Sequence, residues 1–244
     1  EDGMRIFLRD PSGDAEFELL PIRGTDRIRI GETELLIYYG EPSPFNAAQE
    51  IYIEFVPEQA YVESGIWIFR FLGKGREDTY VDLWLPSSAA LGQNTAFLEP
   101  SPETTLTIPS TAFRPLTVGA YDSRTGIYAP FSGRGDTRIY HAQKPDLAAP
   151  GVGIMAPKSG GGYEAVTGTS FAAPLVAGAA ALLMEWGIVR GNDPYLYGEK
   201  VKAYLRKGAK RLPSELEYPN PRLGYGALCV EESMPNFIKG IDNI

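Results

Sequence analysis

Apolar residues in the first part of the chain come in short runs separated by turn-forming residues. The runs at 4–8, 16–20, 27–30 and 35–39 predict β-strands. The run at 51–56 alternates Ile51, Ile53 and Phe55 with Tyr52 and Glu54, the period of a half-buried strand. Runs at 65–72 and 80–85 extend the series. Gly31-Glu32 falls between two runs and suits a two-residue hairpin that opens on glycine. Strands spaced this regularly, with no helical period between them, predict an antiparallel sandwich or jelly roll.

Between about 86 and 110 the texture shifts to serine, proline and threonine, the composition of a connection between domains. Residues 1–98 are therefore read as an all-β domain and residues 99–244 as an α/β domain. In the second domain, 116–121 reads as a buried strand and Ile154-Met155 as part of another. The stretch 171–184 is small and apolar on every face, which predicts a helix buried all round. A second helix is expected over 195–207, where Arg206-Lys207 before Gly208 make a good stop.

Charge and composition narrow the function. The net charge of −8 argues against a nucleic-acid partner. No stretch reaches the roughly 18 uncharged apolar residues of a membrane span, and the nearest, 171–186, contains Glu185. One cysteine, Cys229, forms no internal disulfide, and with one histidine, His141, it does not furnish the usual zinc ligand set. No metal and no cofactor are expected. Glu1-Asp2-Gly3 is not a natural start, so an upstream segment is expected to be missing.

The segment with chemistry in it is Gly168-Thr169-Ser170-Phe171-Ala172-Ala173-Pro174. Acyl transfer needs a nucleophile where a base can reach it and an oxyanion can be stabilised. A helix start supplies free N–H groups and a favourable dipole. Gly168 lets the chain turn, Thr169-Ser170 open the helix, and Pro174 is placed near its first turn. A serine before an apolar run is also a common helix cap, and taken alone this segment would be read as one.

Other strings change that balance. Lys144-Pro145-Asp146-Leu147-Ala148-Ala149-Pro150-Gly151 stands upstream, and Leu116-Thr117-Val118-Gly119-Ala120, Phe131-Ser132-Gly133-Arg134-Gly135 and Gly224-Tyr225-Gly226 flank the pair in order. With the serine segment they resemble the C-terminal third of the subtilases, the subtilisin-like serine proteases of peptidase family S8. The strand-rich first domain, with Trp84-Leu85-Pro86, the run 104–109 and the run 185–193, resembles the clostridial Csp-type germination proteases, in which a jelly-roll insert interrupts the protease core. The resemblance implies a subtilisin-like parallel-sheet core and a peptide-bond hydrolase. It implies Ser170 as nucleophile, with Gly168 and Thr169 shaping the leaving-group side. Phe171 stands where family members often carry methionine.

The family also needs a histidine base and an orienting aspartate, in His-Gly-Thr and Asp-Ser/Thr-Gly motifs that this chain lacks. His141 falls at an ordinary loop position and is read as a surface residue. Asp10-Pro11-Ser12-Gly13 reads as a type I turn, and Asn46, in a proline-rich stretch, as a turn residue rather than the oxyanion asparagine. The expectation is therefore a C-terminal portion of a larger subtilase, inactive alone. Its partners would be a polypeptide substrate and the missing N-terminal part of the protease, and its location secreted or spore-associated. Two other readings stay open: a pseudoprotease with a binding or germination-signalling role, and a ligand-binding β-sandwich with Tyr38, Trp67 and Trp84 as an aromatic platform.

Overall fold

The computed structural model describes residues 4–22, 24–44, 48–73, 80–86, 88–91, 94–135, 137 and 143–234. The chain forms two compact units, Glu1–Ala90 and Leu91–Ile244.

In the first unit, β1 (Arg5–Arg9) lies between β2 (Glu16–Leu19) and β6 (Ile68–Leu72) in one antiparallel sheet. A second antiparallel sheet holds β3 (Gly24–Ile30), β4 (Thr33–Tyr39) and β5 (Ile51–Pro57) in chain order. Alternation does the folding here: Ile6, Leu8, Leu19, Ile30, Leu35, Ile37 and Tyr39 are buried in a single hydrophobic cluster. Phe55 and Trp67 meet edge to face within it, ring centroids 5.0 Å apart. Gly31 takes a positive φ of 60° at the β3–β4 turn, the geometry expected of a hairpin that starts with glycine. The run at 80–85 is not a strand; it is irregular and has Trp84 and Tyr80 on the surface. Apolar content alone does not form a strand without a partner edge.

The second unit is α/β. Strand β7 (Val118–Asp122) pairs in parallel with β9 (Leu147–Pro150) and antiparallel with the short β8 (Ile127–Tyr128). Strands β10 (Ile154–Pro157) and β11 (Tyr163–Val166) make a hairpin. Helix α2 (Thr169–Met184) packs on β7 and β9 through Ala172, Val176, Ala179 and Leu183, and α3 (Gly198–Lys207) joins the same core through Val201 and Leu205. Two short helical turns, α1 (Ser88–Leu91) and α4 (Val230–Ser233), complete the described elements.

Helix α2 departs from expectation in three ways. It is buried on one side only: Leu175, Leu182 and Met184 are each more than 40% exposed, because the sheet and α3 cover one face and nothing described covers the other. It also continues beyond Glu185 through a π-helical turn, Glu185–Val189. The whole helix, Thr169–Val189, has 21 residues and contains an 18-residue stretch of mean hydropathy 1.7, long and apolar enough to cross a membrane by length and composition. Its contacts with β7 and β9 instead give it the role of a core helix. Finally, Pro174 is the sixth helical residue rather than a first-turn residue, so the Ser170 carbonyl loses its helical donor.

Candidate active site

Strand β9 delivers the chain to Gly151, and the hairpin β10–β11 returns it to Gly168, where α2 begins. The Gly151 N–H donates to the Tyr121 carbonyl at 3.0 Å, and the Gly168 N–H donates to the Gly151 carbonyl at 2.8 Å. The space around Gly151 admits no side chain: a Cβ would lie 2.7 Å from the Ala120 Cβ and 3.1 Å from the Gly168 carbonyl oxygen. Gly168 has φ 155° and ψ 158°, a region reserved to glycine. Two glycines thus join the end of the sheet to the start of the helix at van der Waals distance.

Gly168 is the N-cap of α2 and no side chain caps the helix. Neither Thr169 nor Ser170 uses its hydroxyl to satisfy the first amides, so the helix-cap reading of this serine does not describe the structure. Ser170 is exposed, and its hydroxyl has no hydrogen-bond partner among the described residues. The Thr169 and Ser170 amides donate to no backbone acceptor outside the helix, where only Phe171 turns back to the Gly168 carbonyl at 3.1 Å. The result is an unengaged hydroxyl beside unpaired N–H groups at the positive end of a 16-residue helix dipole. Anionic oxygen is favoured at such a place.

The sheet strand that leads to this site is fixed from behind by a buried charge cluster. The Asp146 carboxylate is fully buried and accepts the Thr117 N–H at 2.6 Å. It pairs with Lys144 Nζ at 3.0 Å, with Lys202 Nζ at 3.0 Å and with the Arg206 guanidinium. Lys144 Nζ also donates to the Pro115 carbonyl and the Thr117 hydroxyl, and Lys202 Nζ to the Phe113 and Pro115 carbonyls. Burial pulls the Lys144 ammonium below its ordinary value, against the pairing with Asp146. Three cations around one carboxylate tie β9 to β7 and α3, which fixes the start of the path to Gly151. Asp146 stands in a sequence motif, whereas Arg206 is marked in the sequence only as a helix-stop residue and Lys202 carries no signal of its own.

The other sequence candidates disperse. His141 and Asn46 lie outside the described residues. Asp10 closes a turn in the first unit, its carbonyl accepting the Gly13 N–H at 3.2 Å and its carboxylate the Ser12 hydroxyl. Trp67 is part of the first unit's core and donates to the Glu63 carbonyl at 3.1 Å. Tyr38 lies on the outer face of β4 beside Tyr52, its register partner on β5, and Trp84 is exposed in an irregular segment. Tyr38 and Trp67 therefore do not form one platform. No group of three or more His, Cys, Asp or Glu residues suited to a metal occurs among the described residues.

Comparison with known proteins agrees with the geometry. Residues 88–226 match the Subtilase family, peptidase S8. The chain is 33% identical over 152 residues to the serine protease AprX of Bacillus subtilis, covering 54% of this chain and 32% of that protein. Over 57 residues it is 49% identical to the subtilisin-like protease SBT3.16 of Arabidopsis thaliana, which is 22% of this chain and 8% of that one. The solved structure of the Clostridium perfringens CspB protease superposes with a TM-score of 0.84 at 38% identity, covering 94% of this chain and 48% of that one. The chain thus spans about half of CspB and a third of AprX. The matched region takes in β7, β9, the Asp146 cluster and the start of α2, and on that ground the chain belongs to the subtilase family of serine proteases.

Proposed function

We propose that this chain is the C-terminal portion of a subtilisin-like endopeptidase that hydrolyses peptide bonds through an acyl-enzyme on Ser170. In this reading residues 99–244 are the C-terminal part of the catalytic core, and residues 1–98 form a jelly-roll insert that stiffens it. The observation that carries the proposal is the exposed, unengaged Ser170 hydroxyl at the uncapped start of α2. The Ser170 oxygen adds to the substrate carbonyl carbon while its proton passes to a base. The carbonyl oxygen becomes an anion beside the Ser170 amide. Collapse breaks the C–N bond, the proton passes to the leaving amine, and water then hydrolyses the ester to restore the serine.

Gly168 and Thr169 shape the leaving-group side. The base and its orienting carboxylate come from the remainder of a longer protease, as the family motifs missing here require, and the described residues alone do not complete a triad. A secreted or spore-associated setting goes with the resemblance to the Csp-type germination proteases. A fluorophosphonate probe tests the proposal: the folded, full-length protease is expected to label at Ser170 and to lose labelling on Ser170→Ala. A folded protein that fails to label sinks the proposal and leaves a binding or signalling role in its place.

A further inference from the structure

Two buried lysines converge on Asp146, and the ammonium of Lys144 is held there as a bound ion would be. The Lys144 side chain is 1% exposed. Its Nζ donates to three oxygens: the Pro115 carbonyl at 2.7 Å, the Thr117 hydroxyl at 3.0 Å and Asp146 Oδ2 at 3.0 Å. An ammonium has three N–H groups, so every donor is used. Burial works against the charge, and these oxygens are what hold it.

The cage is fixed by bonds in which Lys144 takes no part. The Thr117 N–H donates to Asp146 Oδ2 at 2.6 Å, and the Asp146 N–H returns to the Thr117 carbonyl at 2.8 Å. The Thr117 hydroxyl proton is committed to the Ser110 carbonyl at 2.7 Å, which leaves that oxygen only lone pairs to offer. Lys202 Nζ holds the far side, donating to the Pro115 carbonyl at 3.2 Å and pairing with Asp146 Oδ1 at 3.0 Å. The three oxygens therefore keep their places without the lysine that fills the space between them.

What such a cage accepts follows from its demand for donors. Three buried acceptors call for three donors, and each acceptor left unpaired carries a desolvation penalty. A water molecule brings two, whereas a primary ammonium brings three together with a charge opposite to that of Asp146. Distance selects among cations as well. The observed 2.7–3.0 Å suits an N–H donor carrying positive charge. Calcium demands about 2.3–2.6 Å and magnesium about 2.0–2.1 Å. A divalent ion also adds charge beside Lys202 and Arg206, which already face the carboxylate.

We infer that the place of the Lys144 ammonium is a cation site filled by the chain's own side chain, which binds a small primary ammonium ion once that side chain is cut away. Lys144→Ala removes everything beyond Cβ, which is propylammonium in outline, and leaves a void of that shape against the same three oxygens. The site is separate from the chemistry at Ser170 and stands whether or not Ser170 is a nucleophile.

Thermal unfolding of the full-length protein and of Lys144→Ala tests this in propylammonium chloride and, at equal ionic strength, in tetramethylammonium chloride, whose cation has no N–H. Propylammonium is expected to restore at least half of the melting temperature that the substitution takes away, by an amount that grows with the logarithm of its concentration. Wild type is expected to melt alike in the two salts. Lys144→Met keeps the length of the side chain, fills the void without a charge, and is expected to gain nothing from propylammonium. If Lys144→Ala does not fold in plain buffer, its refolded yield replaces the melting temperature and is expected to be higher in propylammonium. Equal effects of the two salts on Lys144→Ala overturn the inference. An equal gain in wild type or in Lys144→Met overturns it too, as does wild-type stability of Lys144→Ala in plain buffer.

Discussion

The Gly168 amide and the Gly151 carbonyl meet at 2.8 Å, and this single bond joins the end of the parallel strand to the residue before the Thr169-Ser170 pair. Both positions exclude a side chain, for different reasons. At Gly151 the obstacle is space, with a Cβ only 2.7 Å from that of Ala120. At Gly168 it is backbone geometry, since the nearest side chain to an added Cβ is an ordinary 3.5 Å away. Gly151→Ala is expected to cost about 1–3 kcal/mol through overpacking, and Gly168→Ala a similar amount, about 1–3 kcal/mol, through strain. Urea unfolding of the two variants checks both, and wild-type stability in either contradicts the corresponding account.

Pro174 offers an independent test of the helix start. Its missing N–H leaves the Ser170 carbonyl without a helical donor. An interior proline costs a helix about 3 kcal/mol, and part of that returns as reduced freedom of the unfolded chain, about 1 kcal/mol or less. Pro174→Ala is therefore expected to raise stability by about 1–2 kcal/mol. A lower melting temperature in the variant would show that the proline ring is needed for packing.

Asp146 predicts an asymmetry. Asp146→Asn leaves Lys144, Lys202 and Arg206 facing one another in a buried place and is expected to cost about 3–5 kcal/mol. Lys202→Met leaves the carboxylate with two cations and the Thr117 amide, and its cost is expected to be about 1 kcal/mol. Chemical denaturation followed by tryptophan fluorescence separates the two. Equal losses would mean that the cluster does not depend on its one anion.

Acid stability reports on Asp193. Lys200 Nζ donates to its carboxylate at 2.7 Å and the Tyr204 hydroxyl at 3.3 Å. The hydrogen bond from Lys200 holds the carboxyl below its ordinary 3.8. A carboxyl lowered on folding contributes stability that is present above the unfolded value and is lost as pH falls through the folded one. Asp193→Asn is thus expected to be less stable than wild type at about pH 6, with the gap closing below about pH 4. A gap of constant size across that range would assign the loss to packing instead.

These tests also mark what a linear reading of the chain reaches. The first unit was legible because its strands alternate: Leu35, Ile37 and Tyr39 face inward and Leu36 and Tyr38 outward, as period two requires. Strand β9 was not legible as a strand. Leu147-Ala148-Ala149-Pro150 carries no β-branched or aromatic residue, because it is buried on both sides where only small side chains fit. Its importance was carried instead by the motif in which it stands. For α2 the opposite holds: small residues all round gave no period to read, so the sequence could not tell which face meets the sheet. The family of the serine segment was legible through the other motifs that stand with it in order along the chain. The pairing of the Arg134 amide with the Thr105 hydroxyl was not, because the two meet only by folding.

The uncovered side of α2 has a colloidal consequence. Leu175, Leu182 and Met184 present an apolar strip to water, and the net charge of −8 at neutral pH sets a mutual repulsion against the joining of two such strips. The isoelectric point is about 4.9. As acidity approaches that value the repulsion fades while the strip remains, so mild acid or high salt is expected to cloud a solution of this chain well before the acid unfolding of its charged pairs begins.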